Sequence, residues 1–295
     1  MSATQPRACC SPFFLAIVLL LLIVLAVGSA SAQTRPLRTP EAETIPAGVT
    51  QIQVGFDFLQ DTSFPLSGLR GDHTTLGVIG LRTGVGRMVE LQVEGAVRHF
   101  VDVREQVGSF VTPVLSGTRS ASDYSDFIFY TKVRLLAETK SRPAVAFRFG
   151  YQMPNSNQVR GIGTNTTNIF AAIILQKHIR DLNVFGSVGL AILESPTTNF
   201  TQNDVITYGV GFIYPLHRRV NLAGEVFGRY STREITTALL GTESRGQGRL
   251  GMQIFAGGFQ WDFAGIAGIH QDDPKTGFTF GISRNITLFD YDKVR

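Results

Sequence analysis

Residue parity is the feature that most limits what this chain can become. In DFIFYTKVRLLAE, residues 126–138, one alternate set is Asp126, Ile128, Tyr130, Lys132 and Arg134, and the other is Phe127, Phe129, Thr131, Val133 and Leu135. A period of two specifies a strand with unlike faces. Lys132 and Arg134 need water or an opposite charge, whereas Phe127, Phe129, Val133 and Leu135 need apolar surroundings. A soluble sandwich would meet both demands by packing the apolar face on a second sheet. An outer-membrane barrel would turn that face to lipid and the polar one to a wet interior.

The alternation recurs along the chain. Ile52, Val54, Phe56 and Phe58 oppose Gln51, Gln53 and Asp57, and Val89, Leu91 and Val93 oppose Glu90, Gln92 and Glu94. Val145, Phe147, Phe149 and Tyr151 oppose Ala146, Arg148 and Gly150. Further on, Leu250, Met252 and Ile254 oppose Arg249 and Gln253, and Phe259, Trp261 and Phe263 oppose Gln260 and Asp262. About twelve such segments of roughly 9–12 residues follow, the length a tilted strand needs to cross a bilayer. Their connections alternate in length. Residues 84–86, 139–143, 178–182, 215–219 and 257–258 are compact, and residues 61–71, 101–122, 153–164, 193–203, 231–244 and 270–275 are longer. Outer-membrane barrels sort their loops in this way, with short periplasmic turns and long outer loops. A sandwich has no reason to. The expected fold is all-β, a transmembrane antiparallel up-and-down β-barrel of about twelve strands spanning residues 49–289.

The chain ends fit that expectation. Arg7, an apolar run over residues 13–27 and Ala30-Ser31-Ala32 form a three-part secretory signal, read as cleaved after residue 32. A retained transmembrane helix is the weaker reading, because the run falls short of roughly 20 residues. Cys9 and Cys10 leave with the signal, so the mature chain has no thiol. Loss of Arg7 lowers the formal charge from +4 to +3, too small an excess for a nucleic-acid footprint. Residues 33–48 read as a polar periplasmic lead-in and residues 290–295 as a C-terminal periplasmic tail. Expected partners are outer-membrane lipid, the barrel-assembly machinery and a small-molecule solute, with no nucleic acid.

Parity also assigns the interior. Asp57, Glu90, Glu94, Arg98, Lys132, Arg134, Arg148, Glu225, Arg229, Arg249 and Asp262 are expected to line the lumen, because a charge facing lipid at mid-membrane costs about 2–4 kcal/mol. Such a face suits a hydrated path for solutes, and equally a plugged interior whose ion pairs satisfy one another. The mixed signs do not indicate strong selectivity for one ion sign. Tyr124, Tyr151, Tyr214, Tyr230 and Trp261, at strand ends, suit interfacial girdles.

Catalytic patterns are lacking. His73, His99, His178, His217 and His270 are scattered over loops, turns and one strand end, and no Gly-x-Ser-x-Gly occurs. Asp272-Asp273 beside His270 reads as a solvated loop. Gly161-Ile162-Gly163 lacks the third glycine and helix of a dinucleotide site. The expectation is therefore no enzyme, no cofactor and no metal.

The order of features resembles a known family. DFIFYTKVRLLAE, YQMPNSNQVRGIGTNTTN, GSVGLAIL, ITYGVGFIYPL and the closing GFTFGISRNITLF are similar to bacterial outer-membrane proteins grouped as components of the meta-pathway of phenol degradation. The resemblance covers most of residues 49–289. It implies a barrel that passes small hydrophobic or aromatic molecules, and it supplies no catalytic residue. The tail DYDKVR after Phe289 departs from the terminal aromatic usual in such barrels.

Overall fold

A computed structural model describes residues 35–108, 110–196, 202–232 and 243–289. The expected signal peptide and the tail after Phe289 lie outside the described residues. Thirteen strands run in chain order: β1 (Val49–Phe64), β2 (Leu69–Gly84), β3 (Val89–Gln106), β4 (Ser120–Asp123), β5 (Phe127–Leu136), β6 (Ala144–Met153), β7 (Asn168–Ile179), β8 (Leu182–Leu193), β9 (Asn203–His217), β10 (Val220–Ser231), β11 (Arg245–Ala256), β12 (Phe259–Gly268) and β13 (Thr276–Thr287). Sequential strands pair antiparallel and β1 pairs with β13, closing the sheet on itself. β4 and β5 both pair with β3 in one continuous register, His99 opposite Asp123 and Glu94 opposite Ile128. They are two halves of a single stave broken at residues 124–126. The fold is a closed twelve-strand antiparallel barrel, and closure removes the edges an open sheet would expose.

The faces follow the alternation. Val54, Leu91, Phe129, Phe149, Val188, Val210 and Leu250 are exposed on the outside, while Gln51, Glu90, Gln92, Lys132 and Gln253 are buried within. A solvent-exposed ring of large apolar side chains around a polar interior is the inverse of a soluble protein and fits a lipid surround. Tyr124, Tyr151, Tyr214 and Tyr230 also stand on the outside.

β1, β2 and β3 reach further than the alternation indicates. Residues 61–64, 69–71 and 101–106, expected as loop, are strand. Here the pattern inverts. Val101 and Val103 turn inward to pack with Leu69 and Ala121, while Asp102 and Arg104 face out and Arg104 meets Asp72. An outward charge is inexpensive beyond the bilayer, so this extension carries the opposite polarity from the membrane belt.

Candidate functional site

Residues 35–46 do not hang below the barrel as a lead-in would. They run around the inside of its periplasmic half, and the inward charges serve their backbone. The carbonyl of Arg35 accepts from Gln253 Nε2 at 2.8 Å and Gln260 Nε2 at 3.3 Å, and that of Pro36 from Arg249 at 3.2 Å. The two oxygens of Glu225 each accept one N–H, from Arg38 and Thr39, both at 2.7 Å. Glu43 N–H donates to Gln176 at 3.0 Å, and Lys132 Nζ donates to the carbonyls of Glu41 (3.1 Å) and Glu43 (2.6 Å). Glu90 accepts from Ile45 N–H at 2.8 Å. Irregular backbone forms no ladder of its own, so each buried amide or carbonyl needs such a partner. Side chains anchor the segment as well. Arg35 and Arg38 reach Asp57 at 3.5 and 3.3 Å. Leu37 packs on Phe185, Ile213 and Ala223, and Ala42 on Ala144, Ala146 and Ile174. The small wall residues leave the room the segment occupies.

Above the segment lies a cavity of about 660 Å³, floored by Arg38, Thr39 and Pro40. Its walls combine rings (Phe64, Tyr130, Phe170, Tyr208, Phe227) with Arg148, Arg229, Arg245 and Glu243. Arg148 stacks on Tyr130, with Cζ 3.4 Å from the ring centroid, and donates to Gln92 (2.8 Å) and to Glu94. Gly150 makes that stack fit, because a Cβ there would collide with the Tyr130 ring. Arg229 and Arg245 share Glu243 at 3.3 and 2.8 Å. A smaller cavity of about 270 Å³ lies on the periplasmic side, lined by Glu41, Glu43, Ile45, Arg82 and Lys132 among others.

The residues singled out by parity divide into groups. Glu90, Lys132, Glu225 and Arg249 hold the N-terminal segment, and Glu94 and Arg148 pair on the wall above it. Asp262 is buried and accepts from Gln260 at 2.8 Å. Arg229 joins Glu243 at the outer end, and Arg134 sits at the periplasmic rim, donating to the Arg87 carbonyl at 2.9 Å. Arg98 does not line the lumen. Gly77, at φ +61°, inserts an extra residue into β2, and parity slips in β3 near the same level, so Ala96 and Val101 are buried while Val97 and Phe100 are exposed. Arg98 therefore lies on the outside, 5.0 Å from the Tyr124 ring and 3.0 Å from Ser122 Oγ.

Two histidines that looked separate meet. His99 lies opposite Thr75 in the β2–β3 register, and His73 follows two positions along β2 on the same face. His73 Nε2 and His99 Nδ1 are 2.9 Å apart. His73 stands on β2, not in the loop expected from the sequence. Extending the alternation through Thr74 would have placed it on a strand. At the periplasmic rim, Glu138 takes Lys177 Nζ at 3.0 Å and both the backbone N–H (2.9 Å) and the ring nitrogen (2.7 Å) of His178. Burial pushes the Glu138 carboxyl up, but the hydrogen bonds from His178 and Lys177 outweigh it and bring its pKa down to about 2.

No protein-family model matches the sequence, and no curated protein matches it. Solved structures do. An outer-membrane channel from Pseudomonas putida F1 superposes with a TM-score of 0.62 at 12% identity, over 85% of this chain and 100% of that one. The NanC porin gives 0.48 at 8% identity, over 81% and 100%. At such identities the likeness carries the fold alone, and this chain is an outer-membrane β-barrel. One expectation is corrected. LpxR from Salmonella typhimurium, an outer-membrane enzyme, is also among the matches (TM-score 0.41, 9% identity, over 80% and 99%). A fold does not by itself fix a function, so the sequence-based exclusion of catalysis does not stand. The match assigns no catalytic role to any residue of this chain.

Proposed function

We propose that this barrel is a passive channel for small solutes, with residues 35–46 as its constriction. The observation that carries the reading is the cavity of about 660 Å³ resting on Arg38–Pro40 and facing the long-loop end. A solute entering from outside meets rings and guanidinium groups first, and then a segment held by hydrogen bonds rather than by the covalent wall. The ring-rich lining and the resemblance to the phenol meta-pathway barrels support hydrophobic or aromatic small molecules as the solute class. Export through a cleaved signal of residues 1–32 and insertion by the barrel-assembly machinery belong to the same reading.

A second reading has its own observation. The segment's backbone is so fully partnered by Glu225, Lys132 and Glu90 that it would serve equally as a permanent plug in a structural or surface-binding barrel. Planar-bilayer recording of the mature chain and of a form lacking residues 35–46 separates the two. The channel reading expects small conductance steps from the intact barrel and larger ones from the deletion. An intact barrel that is folded and silent, beside a conducting deletion, supports the permanent plug. Silence from both folded forms removes the channel reading.

A further inference from the structure

We propose that His73, His99 and Thr75 form a binding site for a divalent transition-metal ion on the inner wall of the outer cavity. Three donor atoms converge there. His73 Nε2 lies 2.9 Å from His99 Nδ1, and Thr75 Oγ1 lies 3.3 Å from the first and 3.1 Å from the second. Donors about 2.0–2.1 Å from one ion stand roughly 2.8–3.0 Å apart in octahedral and roughly 3.3–3.4 Å apart in tetrahedral coordination. The triangle therefore matches one face of a coordination polyhedron. Imidazole nitrogen suits zinc, copper and nickel.

The strands impose this convergence. His73 and Thr75 alternate on one face of β2, and His99 sits directly across from Thr75 on β3, so backbone register holds all three donors. When each ring carries its proton on the far nitrogen, both near nitrogens offer lone pairs to a common point. His73 lines the cavity, which gives an ion a route in from the outer side. Asp57 lies opposite Thr75 on β1, and its carboxylate is engaged by both Arg35 and Arg38, at 3.5 and 3.3 Å. Because His73 borders the cavity, an anionic or hydroxyl-bearing small molecule there is within reach of a bound ion as a further ligand.

The test is titration of the folded, detergent-solubilised mature chain with Cu²⁺ alone, read by calorimetry and by electron paramagnetic resonance. The expected result is one Cu²⁺ per barrel at this site, with hyperfine coupling to two imidazole nitrogens. Binding is lost in His73→Ala and in His99→Ala, and kept in Thr75→Ser and His178→Ala. Heat-modifiable mobility verifies that each variant is folded, and His73→Gln and His99→Gln replace any alanine variant that is not. A wild-type spectrum without two-nitrogen coupling overturns the site, whatever the variants do. So does a bound signal that survives loss of both imidazoles.

Discussion

Lys132 Nζ and Glu90 Oε2 stand 3.2 Å apart, directly opposite one another on β5 and β3, and both side chains are almost wholly out of contact with solvent. Neither spends its charge on the other alone. Lys132 also donates to two carbonyls of the N-terminal segment and Glu90 accepts one of its amides, so the pair welds that segment to the wall. Removing one member leaves an uncompensated buried charge, which costs about 3–5 kcal/mol. Lys132→Met is expected to lose that much in denaturant unfolding from lipid vesicles. Glu90→Gln with Lys132→Met should lose less than the sum of the single changes, as contacting residues do. Additive losses would show that the pair is not coupled.

Glu225 offers the most direct handle on the constriction. Its two oxygens hold consecutive amides, Arg38 and Thr39, at 2.7 Å each. Glu225→Ala strips both of their acceptor, at about 1–3 kcal/mol for each buried donor left unsatisfied. The wall keeps its ladder, because β10 pairs with β9 and β11 through backbone. The expected outcome is a barrel of normal heat-modifiable mobility whose Arg38–Thr39 bond becomes open to trypsin and whose single-channel conductance rises. Unchanged protease protection would mean that the segment is held mainly by Leu37, Ala42 and the pair at Lys132.

Much of the wall was legible in the sequence because lipid enforces parity. An outward Leu250 beside an inward Arg249 can be read from adjacent letters. Four features were not legible, each for a physical reason. Residues 35–46 have no periodicity, because they fold against the wall and not against themselves. Val101 and Val103 invert the pattern because the strands outrun the bilayer, and beyond it an outward charge such as Asp102 is cheap. Arg98 turned outward because the extra residue at Gly77 shifts the local pleat, and a strict count cannot see a bulge. The histidine pair was hidden because β2 starts at Leu69, which puts His73 on a strand rather than in the preceding loop.

The outer belt makes a prediction of its own. Leu250 lies at the middle of β11 and is 60% exposed, while its neighbour Arg249 is buried. Leu250→Arg is expected to destabilise the vesicle-embedded barrel by about 2–4 kcal/mol, the cost of a lipid-facing arginine at the midplane. Leu250→Ile should stay near wild type. A near-neutral arginine at 250 would mean that this part of β11 lies away from the membrane core.

The periplasmic rim carries a pH dependence whose direction follows from Glu138. Its pKa in the folded barrel is about 2, below the ordinary value of 4.5, because hydrogen bonds from His178 and Lys177 overcome the effect of burial. A carboxyl depressed on folding contributes stability that is fully present above its unfolded pKa and is lost as pH falls through the folded one. The clasp between the β5–β6 turn and the end of β7 should therefore hold unchanged from neutral pH to about 4.5, weaken below that, and be released near pH 2. The His178 amide donates to Glu138 Oε1 at 2.9 Å, so its hydrogen exchange reports the clasp directly. In the folded wild-type barrel its protection, corrected for intrinsic exchange chemistry, is expected to be flat above about pH 4.5 and to decline below it. Glu138→Gln keeps an acceptor but removes the charge, so its protection should be lower at neutral pH and should lose the acid limb. A wild-type amide whose protection is the same at pH 3 as at pH 7 would show that the carboxylate does not hold this turn.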